Sequence, residues 1–112
     1  MSEGSTNFAI PDLRQFATDL LQKAGMGAEK SAAMARLLVL TDAMARRTHG
    51  MAMLLLYLKE IENGGMNTMG QPQVVRDNGI TAVWEGDYLP GMWLVEKAIN
   101  QAMPRAAQHG IA

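Results

Sequence analysis

The chain has no cysteine, only six aromatic residues and two histidines among its 112 residues. Without cysteine, disulfide frameworks, thiolate zinc sites and cysteine nucleophiles are all excluded. Ten basic residues balance eleven acidic ones, so nothing in the net charge of −1 attracts the chain to nucleic-acid phosphates or anionic membranes. The balanced charge argues against nucleic-acid binding as its main role.

Segments that would direct the chain into or across a membrane are also missing from the sequence. Residues 1–7 are polar and contain no basic stretch followed by an apolar one, so no signal peptide is predicted. The longest apolar run, residues 51–58, is far too short to span a bilayer. We therefore expect a soluble, cytoplasmic protein with no membrane or nucleic-acid partner.

The residue types that are abundant favour helices. Sixteen alanines, twelve leucines and ten methionines far outnumber the five valines and five isoleucines. Unbranched side chains lose little rotamer freedom in a helix, whereas β-branched ones lose more. Apolar residues recur at helical spacing from Pro11 to Ala24, before Gly25. A second helix, from about Ala28 to Ala45, is apolar on nearly every side and must be buried.

Methionine and leucine dominate the third predicted helix, which starts near His49 or Gly50 and ends at Asn63-Gly64-Gly65. Because its apolar residues cover more than one face, we expect association through the second and third helices. The methionines themselves have two interpretations, flexible core filling or a recognition groove.

The periodicity changes after residue 70. Gln73–Arg76 and Ile80–Trp84 predict two strands, joined at Asn78-Gly79, where both residues tolerate positive φ. A last helix is predicted from about Gly91 to Gln108, with a kink at Pro104.

The predicted fold class is α+β and mostly helical. Residues 1–70 are expected to form a three-helix N-terminal domain, and residues 71–112 to begin a larger α/β domain. A lone hairpin is marginally stable, and Ile111-Ala112 has the pattern of another strand beginning. We therefore expect a fragment or a truncated product.

His49 is the residue most open to a chemical role. It lies in Arg46-Arg47-Thr48-His49-Gly50, between two apolar helices, with Thr48 as a candidate helix cap. Position alone leaves two interpretations, a structural hydrogen bond and catalysis. His109 precedes Gly110 at a helix end, where it suits the negative end of the helix dipole.

Metal and phosphate sites are not predicted. No second histidine follows His49 at three or four residues, so we expect no metal site. The glycines form neither a phosphate-binding loop nor a dinucleotide fingerprint, since Gly64-Gly65 follows a helix.

Several spaced residues resemble one family. Together they are similar to the opening of the type-2 malate/L-lactate dehydrogenases, also called malate/L-sulfolactate/L-lactate dehydrogenase-like oxidoreductases. The resemblance runs from about residue 8 to 112, and would match about the first third of a family member. The residues that carry it are Asp42, Thr48-His49-Gly50, Leu54, Tyr57, Gly64-Gly65, Val74-Val75, Gly86-Asp87, Gly91, Ala98, Ala107 and Gly110-Ile111-Ala112.

The resemblance implies a reductase of 2-oxo acids or of a cyclic imine acid that uses NAD or NADP, on a fold other than the Rossmann fold. It implies that His49 gives a proton to the substrate as hydride arrives, and removes it in reverse. Histidine suits both directions because its pKa lies near neutrality. Thr48 replaces the usual serine and keeps a hydroxyl, which can either hydrogen-bond the substrate or hold the backbone. The resemblance also implies a homodimer, and a cofactor-binding role for the domain that residues 71–112 begin.

Two departures from the family concern the substrate. Met53 stands where many members have an arginine that grips a carboxylate, and Met44-Ala45 stands where an Arg-Gly pair is common. Either the substrate differs, or Arg46, Arg47 or a downstream residue binds the carboxylate. Most cofactor-contacting segments would lie beyond Ala112, so we expect the fragment alone to be inactive. The alternative is a non-catalytic helical interaction or dimerisation module.

Overall fold

A computed structural model describes residues 9–44 and 50–112. The first half is helical, the second begins with a hairpin, and a long helix completes it. In chain order the elements are α1 (Ile10–Lys23), α2 (Ala28–Ala43), a 3₁₀ turn (Met51–Met53), α3 (Leu54–Glu62), β1 (Gln73–Asp77), β2 (Ala82–Glu85) and α4 (Gly91–His109). The predicted α+β, mostly helical fold is confirmed.

The boundaries of α1 follow from its sequence. Pro11 lies in its first turn, where a missing N–H costs nothing, and Asp12 lies at the positive end of the helix dipole. Gly25, with φ of +106°, lies beyond the end of α1 in a conformation that glycine adopts without steric cost. The predicted second helix extended to Ala45, whereas α2 ends at Ala43, and Ala45 lies outside the described residues.

The core forms around α2, which is buried on several sides as predicted. Its Met34, Ala35 and Leu38 are fully buried against Ala17 and Leu21 of α1. Burying a leucine side chain stabilises the folded chain by about 2 kcal/mol, so these contacts supply much of the free energy that holds α1 on α2. Leu54 begins α3 and is 95% buried in the same cluster, since only 5% of its surface is exposed.

The core also includes residues beyond position 70. Trp93 of α4 and Leu89, which precedes α4, are buried in the cluster formed by α1 and α2. The ammonium of Lys30 lies 4.3 Å from the centroid of the Trp93 ring, a cation–π contact that explains why this lysine is buried. The domain boundary near residue 70 stays a prediction.

β1 and β2 pair antiparallel, which confirms the predicted hairpin, but its turn differs from the prediction. β2 begins at Ala82 instead of Ile80, and Asp77 pairs with Ala82 around a four-residue loop. Of the two residues that the sequence places in the turn, Asn78 and Gly79, only Gly79 has a positive φ. The side chain of Asn78 accounts for the longer loop, because its Oδ1 accepts hydrogen bonds from the backbone N–H groups of Ile80 and Thr81, at 3.0 and 2.8 Å.

Two ion pairs fix α4, which continues through Pro104 and ends at Gly110 with φ of +82°. Arg36 of α2 pairs with Glu96, and Arg105 pairs with Asp77 of β1. Ile111 and Ala112 form no strand in the part of the chain that the structure describes. Among the described helices, none is long and apolar enough to cross a membrane.

Candidate active site

The predicted site residues fall in a short gap between two described elements. Arg47, Thr48 and His49, together with Arg46, lie outside the described residues. The structure describes what flanks them: Met44, which caps the end of α2, and Gly50, which caps the start of the 3₁₀ turn.

Gly50 is buried and lies against the last turn of α2. A Cβ atom added to Gly50 would lie 2.1 Å from Oδ1 of Asp42 and 2.9 Å from its backbone nitrogen. No side chain fits there without moving the end of α2. The glycine of the predicted Thr48-His49-Gly50 block is therefore required by its close approach to Asp42.

The residues after Gly50 attach this segment to the core. The backbone N–H of Met53 donates a hydrogen bond to the carbonyl of Gly50 at 2.8 Å, and Leu54 then enters the core. Met53 and Tyr57 are partly buried and pack against the same cluster. Met53 thus brings an apolar side chain to the place where the resemblance expects a carboxylate-binding arginine.

Sequence reasoning missed the contact between Asp42 and Gly50. In the sequence, Asp42 is only one of the residues that carry the resemblance to a family, and the resemblance gives it no role. Its one local signal is that an acidic residue in the last turn of a helix opposes the helix dipole. That signal indicates a non-local partner without identifying it.

The turn that joins β2 to α4 has an unusual backbone geometry. Leu89 donates its backbone N–H to the carbonyl of Gly86 at 3.0 Å, and the two central residues, Asp87 and Tyr88, have φ of +52° and +57°. Such values cost non-glycine residues on the order of 1 kcal/mol each. Asn67 stabilises the turn, since its backbone N–H donates to the carbonyl of Tyr88 at 2.9 Å.

This turn also provides a test of whether the described residues fit a nicotinamide dinucleotide. A strand, a glycine-containing turn and a helix N-terminus follow one another there, which is the arrangement that binds pyrophosphate in nucleotide-binding folds. However, Glu85 and Asp87 bring exposed carboxylates to the turn, and these would repel a pyrophosphate. The turn does not fit the cofactor's phosphates.

A polar cavity of about 360 Å³ lies between the N-terminal end of α2, β2 and α4. Trp84, Trp93 and Lys97 are among its lining residues. The indole N–H of Trp84 is buried without a hydrogen-bond partner among the described residues. Across residues 9–44 and 50–112, no cluster of three potential metal ligands is found.

Comparison with known proteins gives a consistent set of relatives. The sequence profile of the malate/L-lactate dehydrogenases matches residues 8–112. An L-lactate dehydrogenase of Cupriavidus necator is 28% identical over 102 residues, which is 91% of this chain and 29% of that protein. A ureidoglycolate dehydrogenase (NAD(+)) of Escherichia coli is 27% identical over 100 residues, which is 89% of this chain and 29% of that protein.

The fold matches as well. The structure of malate dehydrogenase from Pyrococcus horikoshii OT3 superposes with a TM-score of 0.92 at 26% identity, covering 97% of this chain and 31% of that one. The chain thus spans about 29% of the length of the curated relatives it matches. The profile match over residues 8–112 and this superposition show that the chain belongs to the malate/L-lactate dehydrogenase family.

Proposed function

We propose that the chain supplies the proton-transferring residue, His49, of a nicotinamide-dependent oxidoreductase that interconverts 2-hydroxy acids and 2-oxo acids. The family match over residues 8–112 carries this proposal. The relatives support its chemistry, since they include L-lactate, malate and ureidoglycolate dehydrogenases, the last with NAD(+) in its name. Either NAD or NADP would serve, and we assign no residue of this chain to it.

His49 acts in the proposal as general acid and general base. When a 2-oxo acid is reduced, its carbonyl oxygen becomes a hydroxyl and needs one proton, which the imidazolium of His49 donates. In the reverse direction the neutral imidazole removes the same proton. A side chain whose pKa lies near neutral pH is available in both forms and so serves both directions.

Thr48 and Arg47 would bind the substrate in this proposal. The Thr48 hydroxyl can donate a hydrogen bond to a substrate oxygen, and the Arg47 guanidinium can bind a carboxylate through two parallel hydrogen bonds. The apolar packing of Met53 supports a carboxylate partner elsewhere, because this side chain brings no charge to its position. Arg46 is the neighbouring alternative to Arg47.

The proposal extends to a cytoplasmic homodimer, with no nucleic-acid or membrane partner. Exposed apolar side chains on α2 and α3 support an interface between two copies. Leu40, Leu55 and Leu56 are 47%, 60% and 52% exposed, although leucine gains free energy from burial.

The test uses the complete gene product that contains these residues, assayed with NADH and NADPH against pyruvate, oxaloacetate and the oxidised form of ureidoglycolate. We expect His49→Ala and His49→Gln to lower kcat by about 10²- to 10⁴-fold, the usual contribution of a positioned proton donor. Thermal unfolding should show both variants folded.

The chain offers a matched control in its other histidine. His109 is exposed at the end of α4, so His109→Gln makes the same substitution at an exposed position and should leave kcat unchanged. Normal turnover by His49→Gln would refute the acid–base role. A complete gene product that associates but reduces no 2-oxo acid with either nucleotide would favour the non-catalytic interaction module.

A further inference from the structure

Asp42 is placed unfavourably for the helix that carries it. It lies in the last turn of α2, where the free carbonyl groups give the helix a partial negative charge, and this turn has no basic residue. A carboxylate there costs about 0.3–1 kcal/mol at an exposed site. The stability of α2 therefore does not account for an aspartate at this position, whereas a contact outside the helix can.

The contact that Asp42 makes is with Gly50. Both Oδ1 and Cγ of Asp42 would lie within 2.6 Å of a Cβ added to Gly50. The carboxylate therefore packs directly against the buried α-carbon of Gly50. Of the three atoms nearest to this position, two belong to the Asp42 side chain and one to its backbone.

Gly50 is fixed from its other side as well. Its carbonyl accepts the hydrogen bond of Met53 that begins the 3₁₀ turn, and the next residue, Leu54, is anchored in the core. α2 and the 3₁₀ turn thus determine the position of Gly50 together. Gly50 directly follows His49 in the sequence, so contacts that fix Gly50 act on one end of the segment that carries His49.

We propose that Asp42 is a positioning residue: its side chain packs against Gly50 and fixes the backbone to which His49 is bonded. The inference rests on the proposed role of His49 in proton transfer. Asp42 acts through Gly50 and needs no contact of its own with substrate or cofactor. Its effect is on the distance and angle of the proton transfer, and a misplacement of about 1 Å can lower a rate on the order of 10²-fold.

The first experiment compares Asp42→Ala and Asp42→Asn in the complete gene product, with kcat expressed per folded molecule. We expect Asp42→Ala to lower kcat on the order of 10²-fold while KM changes little, because substrate contacts remain. Asparagine has nearly the same shape as aspartate, so Asp42→Asn should restore most of the lost kcat. A merely structural role would lower the folded fraction and leave kcat per folded molecule unchanged.

Asp19→Ala is the matched control. Asp19 is an exposed helical aspartate on α1 whose carboxylate accepts a hydrogen bond from Gln15 at 2.8 Å, away from Gly50. This variant should keep normal kcat. A wild-type kcat in Asp42→Ala, or an equal loss in Asp42→Ala and Asp42→Asn, would overturn the proposal.

The second experiment is a double-mutant cycle between positions 42 and 50, read by thermal unfolding. Gly50→Ala should lower Tm, because the added Cβ collides with Asp42. Asp42→Ala removes the two atoms nearest to the added Cβ, so in that background Gly50→Ala should lower Tm less. Additive effects would show that the two residues are not coupled and would overturn the proposal.

The two experiments separate this inference from the function on which it rests. If His49→Gln keeps normal turnover, the proton-transfer role of His49 is wrong, and the coupling in Tm still reports whether Asp42 fixes Gly50. If His49→Gln is inactive and the Asp42 variants have normal kcat, the proton-transfer role of His49 stands and the positioning role of Asp42 is wrong.

Discussion

Arg105 of α4 donates two parallel hydrogen bonds to Asp77 at the end of β1, from Nη1 to Oδ1 at 2.8 Å and from Nη2 to Oδ2 at 2.7 Å. The two residues are 28 positions apart in the chain. The hydrogen bonds from Arg105, and then the one from the backbone N–H of Gly79, lower the pKa of Asp77 from 3.8 to about 2. This pair attaches the hairpin to α4.

The pair makes stability depend on pH in a defined window. Because the pKa of Asp77 is lower in the folded chain than in the unfolded one, its contribution is fully present above about pH 3.8 and is lost as pH falls towards 2. We expect Asp77→Asn to lower the free energy of unfolding near neutral pH, and the deficit to shrink through this window. Urea unfolding followed by circular dichroism at a series of pH values measures it.

Asp19→Asn is the control for that titration, since Asp19 accepts its hydrogen bond from the neutral amide of Gln15. It should show little deficit at any pH. A deficit of Asp77→Asn that stays constant from neutral pH to pH 2 would contradict the role of the charge.

A second prediction concerns two leucines on α2 that differ in burial. Leu38 is fully buried and Leu40 is 47% exposed. Leu38→Ala should lower the free energy of unfolding by about 2–5 kcal/mol, because it removes buried methyl groups and leaves a cavity. Leu40→Ala should cost less than about 1 kcal/mol. Equal losses in urea unfolding at low protein concentration would show that the core is not where the structure puts it.

A third prediction concerns self-association through α2 and α3. Leu55→Glu places a charge on the exposed apolar surface, so it should shift sedimentation towards a monomer at protein concentrations where the unmodified chain dimerises. Phe16→Glu is the matched control, because Phe16 is 55% exposed on α1, outside the proposed interface. If the unmodified chain sediments as a monomer at tens of micromolar, this interface is wrong for the chain by itself.

A fourth prediction concerns the cofactor. We expect the 112-residue chain by itself to bind neither NADH nor NADPH with micromolar affinity, because the β2–α4 turn brings carboxylates where phosphates would need cations. Calorimetric titration measures this. Saturable micromolar binding would contradict this prediction. In that case Asp87→Ala should tighten the binding if the cofactor's phosphates lie at this turn, because the variant removes a repelling charge.

The helices could be predicted from the sequence because their signals are local. Apolar spacing, Pro11 at one end of α1 and Gly25 beyond the other place it to within a residue or two, and Gly110 does the same for α4. The hairpin was also predictable as an element. Its turn was not, because the Asn78-Gly79 pattern indicates two residues that tolerate positive φ, whereas only Gly79 adopts it and the side chain of Asn78 accepts hydrogen bonds from the loop.

The resemblance to a family directed attention to Asp42 and to the block that contains His49, but it did not say what Asp42 contacts. A hydrogen bond or ion pair between Asp77 and Arg105 likewise leaves no periodic trace in the sequence, since either residue alone is typical of an exposed position. Sequence by itself determined the helices, the hairpin and the residue types at the candidate site, because these depend on interactions within a few residues. Only the tertiary structure decided that Asp42 meets Gly50 and that Arg105 meets Asp77, because such contacts form between elements whose relative placement is fixed by the burial of Leu38, Leu54 and Trp93 in one core.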